Sequence, residues 1–551
     1  MRYIFLLCAL ALVACGGGGG APTGGTPQVP DTTRIVRGRI GYESRGPDLS
    51  NRDADGRLLP SVGIPAPTFS APVAFALVEV LGDDGRILGQ APCDRNGRYE
   101  VTANYGQNPA TAVRLRVTAL ASLPFGTHIR IFPNTSATSE YQHVSGLSDA
   151  PSSNRFEPLE ADTDISRAEG AGAFHMLRVL WDSFVLGRSG TGAGSILPDL
   201  RVYWEEGNGE ETTFVPEIDA GQLLVAGGLP GDDTSNTDNF DDPLLARMVG
   251  QYFFEYFFYE VAPDGVAGDG PLVPSAAWSE GFLDYFSCAA RGSSIYWETE
   301  GSDANGRVTR FFDIESFFDA SLGSLGANDP NVYQDASNVG IASRFSVAEL
   351  LWDLSDENGP GTDGDQLQIS TRLVLEVVDS FPAGRSYPYL FSLLDGLLVS
   401  QAVSTGTVNA LLSFPENQGV LYPASIAAGT LWPVPFEDRR GVAIVAPFSQ
   451  TRTDSIDTQT PTTSSDTLND RAARYFTFET VLNTNTTLTL TTTGDLAIDI
   501  LTRTNQVLTT GTSPLVINGL LPNQYIVRVR AADGAAPQIA PFDLTINVQA
   551  P

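Results

Sequence analysis

The side chains able to do chemistry in this chain are few in kind. All 33 basic residues are arginine, so Schiff-base catalysis and a phosphate-loop lysine are excluded. The three histidines, His128, His143 and His175, lie too far apart in sequence to share one helix turn, and a zinc-binding His pair at i and i+4 is therefore missing. No G-x-S-x-G elbow occurs, and no motif marks a Ser-His-Asp set. Carboxylates are abundant instead, 65 acidic residues against 33 basic giving a formal charge of −32. They leave room for a carboxylate pair of the glycoside-hydrolase kind, whose sequence signature is weak. The acidic runs 231–242 and 355–365 read as solvated loops, with calcium left open as their alternative ligand. Asn51-Arg52-Asp53-Ala54-Asp55-Gly56 imitates the start of a calcium loop, but its twelfth position is Val62 and not Glu, which favours a plain turn. A nucleic-acid partner is excluded on charge, since a polyanion is repelled and no basic run intervenes.

The elements that must position these groups follow from composition and periodicity. With 551 residues, 42% hydrophobic and 18% charged, the chain is globular and long enough for three to four domains. Residues 35–40, 74–81, 99–103 and 113–119 read as strands divided by Gly/Asp turns. Phe174, Leu177, Leu180, Trp181 and Phe184 form a 3.6-residue stripe that predicts a helix over 169–184. A second helix opens with Asp242 as N-cap and Pro243 as first helical residue and runs to about residue 260. The G-x-G-x-G spacing within 187–195 follows a helix rather than a strand, which rules out a dinucleotide fingerprint. Beyond residue 430 the chain turns Thr/Ser-rich, with a loop-like run at 449–470. Clean alternation follows at Leu488/Leu490, Leu496/Ile498/Ile500, Tyr525/Val527/Val529 and Phe542/Leu544/Ile546/Val548, predicting a β-sandwich. Cys93 and Cys288 read as buried free thiols, with a disulfide outside the cytoplasm left open.

The N-terminus carries a targeting pattern. Met1-Arg2 is a positive start, residues 3–13 are apolar but too short to span a bilayer, and Leu12-Val13-Ala14-Cys15 ends in cysteine. This resembles a bacterial lipoprotein lipobox and implies lipidation of Cys15, membrane attachment through that lipid, and a Gly/Pro/Thr tether over 16–33. Gly16 rather than Asp after the cysteine implies the outer membrane if the cell is Gram-negative.

Asp94-Arg95-Asn96-Gly97-Arg98-Tyr99 resembles the turn into a strand of the transthyretin-like domains appended to carboxypeptidases. Gly494-Asp495-Leu496-Ala497-Ile498-Asp499-Ile500 and the run from Gly519 to Val529 resemble bacterial pre-peptidase C-terminal domains. Between them, Leu244-Leu245-Ala246-Arg247-Met248-Val249-Gly250-Gln251-Tyr252 aligns without a gap on a zincin helix, where two His bind zinc and a Glu acts as base. Arg247 stands at the first ligand position, Met248 at the base and Gln251 at the second ligand. Ala277-Trp278-Ser279-Glu280-Gly281-Phe282-Leu283-Asp284 resembles the second gluzincin helix, whose Glu is the third zinc ligand and whose Asp braces the first His. The segments Asp238-Asn239-Phe240-Asp241-Asp242-Pro243 and Val347-Ala348-Glu349-Leu350-Leu351-Trp352-Asp353-Leu354 resemble those flanking these helices in bacterial lipoprotein-type gluzincins.

The resemblance implies a multidomain protein: a signal peptide (1–15), a tether (16–33), an N-terminal transthyretin-like β-sandwich (34–158), a central α-rich α+β gluzincin-like domain (159–430) and a linker with a C-terminal β-sandwich (431–551). It implies a peptidase centre without its zinc, in which Arg247 either faces Glu280 and Asp284 or snorkels to solvent, and hence a binding or scaffolding role for peptide or surface polymer. The opposing expectation is a secreted hydrolase, either a divergent metallopeptidase or a carboxylate-dependent glycosidase.

Overall fold

The computed structural model describes residues 33–44, 69–106, 112–123, 126–149, 157–191, 197–209, 211–217, 220–229, 236–258, 274–300, 307–314, 343–355, 369–380, 390–404, 434–435, 448–457, 473–480, 483–502, 507–521, 523–532, 534–536 and 538–549. Cys15 and its leader, the tether up to residue 32, the calcium-like turn at 51–56, residues 231–235 of the first acidic run and 356–365 of the second lie outside the described residues.

Period-two sequence builds most of what is described, and the protein is β-rich. The strand Thr33–Ser44 buries Val36, Ile40 and Tyr42 and turns Ile35, Arg37 and Arg39 outward, as a half-buried strand must. It sits in the middle of a five-stranded sheet, antiparallel to Arg98–Asn104 and Phe69–Pro72 and parallel to Leu159–Glu160 and Thr163–Ile165. A second sheet of Ser148–Asp149, Ala112–Thr118, Leu77–Gly82 and Ile87–Pro92, with Gln142–Val144 at its side, shares the same core. A third sheet runs in the order Thr213–Val215, Ala220–Val225, Asp199–Trp204, His128–Phe132, Leu120–Ser122, its three middle strands parallel.

Two of those strands come from before residue 158, while 159–165 pair back onto the first strand. The chain thus crosses the expected boundary between 34–158 and 159–430 in both directions, and one hydrophobic core continues across it.

Six helices are seen among the described residues after Gly170: α1 (Ala171–Gly190), α2 (Asp242–Tyr256), α3 (Pro274–Arg291), α4 (Arg344–Ser355), α5 (Thr371–Asp379) and α6 (Leu390–Val399). They share residues 159–430 with three strands of the third sheet and the hairpin Ile295–Glu300/Arg307–Asp313, so this stretch mixes helix and strand. Among the described residues no helix is long and apolar enough to cross a membrane.

α1 buries Phe174, Leu177, Leu180 and Phe184 fully, whereas Trp181 lies half-buried and stacks on Phe75 at 4.2 Å. The helix also runs further than its stripe. Gly187 and Gly190 are still helical, and a Cβ there would come within 2.2 Å of the Phe253 ring and 2.1 Å of Leu375, so both positions need glycine for close helix contacts. α2 begins one residue earlier than expected, with Asp241 as N-cap, and stops at Tyr256. Asp241 makes no side-chain cap bond, because its carboxylate accepts from Thr299.

Beyond residue 430, one sheet (Val434–Pro435, Ala473–Thr480, Asn523–Ala531, Leu496–Thr502, Val507–Gly511) and a second (Phe448–Asp457, Ile539–Gln549, Thr484–Thr492, Leu515–Leu520) enclose their own core. Every alternating residue named from the sequence is buried in it. The run read as a loop from residue 449 is a strand over Phe448–Asp457, paired along its length with Ile539–Gln549. It is an edge strand, and its Ser, Thr and Gln residues lack the apolar alternation by which buried strands are recognised. Cys93 and Cys288 are both free and buried; the Cys93 thiol donates to the Val73 carbonyl, and burial pushes both thiols up to about 12.

Candidate functional site

α2 and α3 are brought together by their apolar faces, Leu245, Ala246, Val249, Phe253, Phe282, Leu283 and Phe286 all lying in the large core. α4 then packs on α3 at Gly281, where a Cβ would meet the Arg344 carbonyl oxygen at 2.4 Å and the Val347 Cβ at 2.6 Å. Only glycine permits that approach, and it delivers Arg344 to the carboxylates of α3.

The result is a buried quartet of two guanidiniums and two carboxylates. Arg247 Nη1 donates to Asp284 Oδ1 at 2.5 Å and to the Glu280 carbonyl at 3.2 Å, while its Nη2 donates to Glu280 Oε2. Arg344 Nε and Nη2 bind Asp284 at 2.6–2.9 Å, and Arg344 Nη1 lies 3.5 Å from Glu280 Oε2. Asp284 is 0% exposed, Arg344 2% and Arg247 7%. At this depth a lone charge is costly, and fork-to-carboxylate bonding is what makes the group tolerable. Burial lowers the affinity of the Arg247 guanidinium for its proton, but the Glu280 and Asp284 charges more than reverse this and hold its pKa above the ordinary value.

Of the positions singled out in sequence, Arg247, Glu280 and Asp284 meet. Met248 lies in the apolar core and Gln251 is half-buried; among the described residues neither joins the quartet. Arg344 is the member sequence reasoning missed. Nothing in its spacing ties it to carboxylates sixty residues earlier. The donor set does not suit a zinc ion, since both carboxylates are held by cations and the residue between the two aligned ligand positions is a thioether packed in core. Among the described residues no group of three or more His, Cys, Asp or Glu could hold a metal ion.

Two further polar clusters flank the start of α2. His175 on α1 faces Asp242 Oδ1 through Nε2 at 2.5 Å and the Tyr42 hydroxyl through Nδ1 at 3.1 Å. This chain ties the first strand to α1 and α2. Burial would raise the Asp242 carboxyl, but His175 and Arg178 outweigh it and bring it down to about 2. On the other side Asp238 accepts from Thr212 Oγ1 at 2.5 Å and Asn236 Nδ2 at 2.8 Å, and Asp241 accepts from Thr299 N at 2.6 Å and Thr299 Oγ1 at 2.7 Å.

No protein-family model matches the chain, and no curated protein matches it. Among solved structures it is similar to a periplasmic inhibitor of g-type lysozyme from Aeromonas hydrophila, at 12% identity and a TM-score of 0.16, over 20% of this chain and 93% of that one. It is also similar to a 9R-lipoxygenase from Cyanothece, at 13% identity and a TM-score of 0.15, over 27% of this chain and 18% of that one. Neither likeness bears on fold or function.

Proposed function

We propose that this chain is a surface-anchored lipoprotein whose central segment is a gluzincin-like domain set between transthyretin-like and pre-peptidase C-terminal-like β-sandwiches, and that its former peptidase centre binds without cutting. One observation carries the reading. The residue aligned with the first zinc ligand is a guanidinium, and its partners are the residues aligned with the third ligand and its brace. Cationic Arg247 supplies the positive charge that a metal would, but it can neither activate water nor polarise a carbonyl as a Lewis acid. The ligand class that suits such a centre is an extended peptide or another surface polymer. Among the described residues, the acids with raised pKa are sealed from solvent, Asp238 1% exposed and Asp241 0%, and so closed to any polymer, which speaks against a carboxylate-dependent hydrolase at these two.

The test is a pool of unstructured peptides incubated with the purified, natively folded chain. No cleavage and no effect of a chelator are expected, together with an upward shift in melting temperature for the peptides that bind. Cleavage abolished by chelator or by Glu280→Gln would overturn the reading.

Anchoring is tested separately. The lipobox match at Leu12-Val13-Ala14-Cys15 supports membrane attachment by more than one acyl chain, which gives stable binding where a single chain does not, and Gly16 favours the outer membrane if the cell is Gram-negative. Cys15→Ala is expected to move the protein from the membrane to the soluble fraction; unchanged membrane association would exclude the lipobox.

A further inference from the structure

Asp238 and Asp241 stand three residues apart in the turn that enters α2, and both are sealed from solvent. Their hydrogen bonds are to neutral groups: Thr212 and Asn236 for Asp238, Thr299 for Asp241. Among the described residues, the charged groups that act on them from other elements are Glu211 and Glu298, both acids. Glu298 accepts the Tyr296 hydroxyl at 2.5 Å and acts on Arg247 as well. Separately, Asp238 Oδ1 is fully buried with no hydrogen-bond partner among the described residues. A buried carboxylate oxygen without a donor is costly when ionised and tolerable when it carries a proton.

We infer that Asp238 and Asp241 form a buried proton-binding site that shares a proton and clamps the turn 236–242 against the strand Ile295–Glu300. The clamp has a consequence for a cavity. Thr237, Asn239 and Phe240, interleaved with the two acids, wall a small cavity with Trp204 and Arg167, so the proton governs how firmly that wall is held. The inference does not depend on any kinship to peptidases.

The direction with pH follows from the geometry and agrees with the groups' acidity. Burial, reinforced by Glu298 and only partly offset by Thr212, raises Asp238 to about 7. Burial and the Asp238 charge raise Asp241, against the Thr299 bonds. The folded state then binds more protons than the unfolded one between the ordinary carboxylate value and about 7, so the clamp is at full strength in acid and weakens as pH rises through that value.

The Thr299 amide, which donates to Asp241, reports the clamp directly. Hydrogen exchange of peptides covering 236–242 and 295–300, corrected for intrinsic rates, is to be measured on the full chain between about pH 5.5 and about pH 8.5. Protection is expected to fall about tenfold over that range, since each unit past the pKa is worth a factor of ten. A peptide from the strand Thr484–Thr492, in the separate C-terminal core, should not change. Asp238→Asn mimics the protonated acid and should hold its protection at alkaline pH. If that variant fails to fold, Asp241→Asn serves in its place. Equal protection at both pH values, or a pH response unchanged in the Asn variant, would overturn the proposal. So would protection that follows added calcium or chelator at constant pH, which would make the ligand a cation rather than a proton.

Discussion

Replacing Asp284 with alanine is expected to cost about 3–5 kcal/mol of folding stability, the range for breaking a buried ion pair by removing one partner. The reason is its place in the quartet. Asp284 is 0% exposed and accepts from both Arg247 and Arg344, so its loss leaves two guanidiniums with only Glu280 between them. Arginine cannot escape by giving up its proton. Asp284→Asn keeps the volume and should still lose most of this stability, because the charge, and not the space, is what the two cations need. Urea denaturation with an unchanged m-value is the measurement. A loss below about 1 kcal/mol would place the residue with exposed pairs, which are worth that little.

How much of this was legible in the sequence depends on the distance over which each feature is set. The C-terminal strands could be read because alternation is local: Leu544, Ile546 and Val548 point to one side of their strand whatever their partners are, and all are buried. The polar edge strand Phe448–Asp457 could not, since its place is fixed by pairing with residues about ninety positions away and not by its own pattern. Glu280 and Asp284 could be seen to share a helix face, and Arg247 to stand on another helix, because both facts follow from a 3.6-residue turn. Arg344 was out of reach. Its arrival depends on Gly281 allowing α4 to touch α3, a contact no periodicity records. The same holds for the acids before α2. Asp241 reads as part of a solvated acidic run, yet the hairpin strand Ile295–Glu300 covers it and Thr299 takes its carboxylate. Gly187 and Gly190 likewise sit where a Cβ would strike the Phe253 ring and Leu375, close helix contacts that no local pattern announces.

The second large effect concerns Arg247. Arg247→Ala takes the quartet from neutral to one net negative charge, since Glu280 and Asp284 are left with Arg344 alone. A cost of about 3 kcal/mol or more is expected, for the same reason as above. Arg344 still holds Asp284 at 2.6 Å but lies 3.5 Å from Glu280, so Glu280 is the carboxylate left most exposed to the loss. Removing its charge as well should therefore restore neutrality and recover much of the stability. The double-mutant cycle of Arg247→Ala and Glu280→Gln, read by denaturation of the folded chain, measures how far Arg247 is the cation that these buried carboxylates require. The predicted result is a coupling of at least about 1 kcal/mol, with the double variant more stable than Arg247→Ala alone. Additive effects, or an Arg247→Ala cost below about 1 kcal/mol, would contradict it and leave Arg247 an ordinary surface-type ion pair.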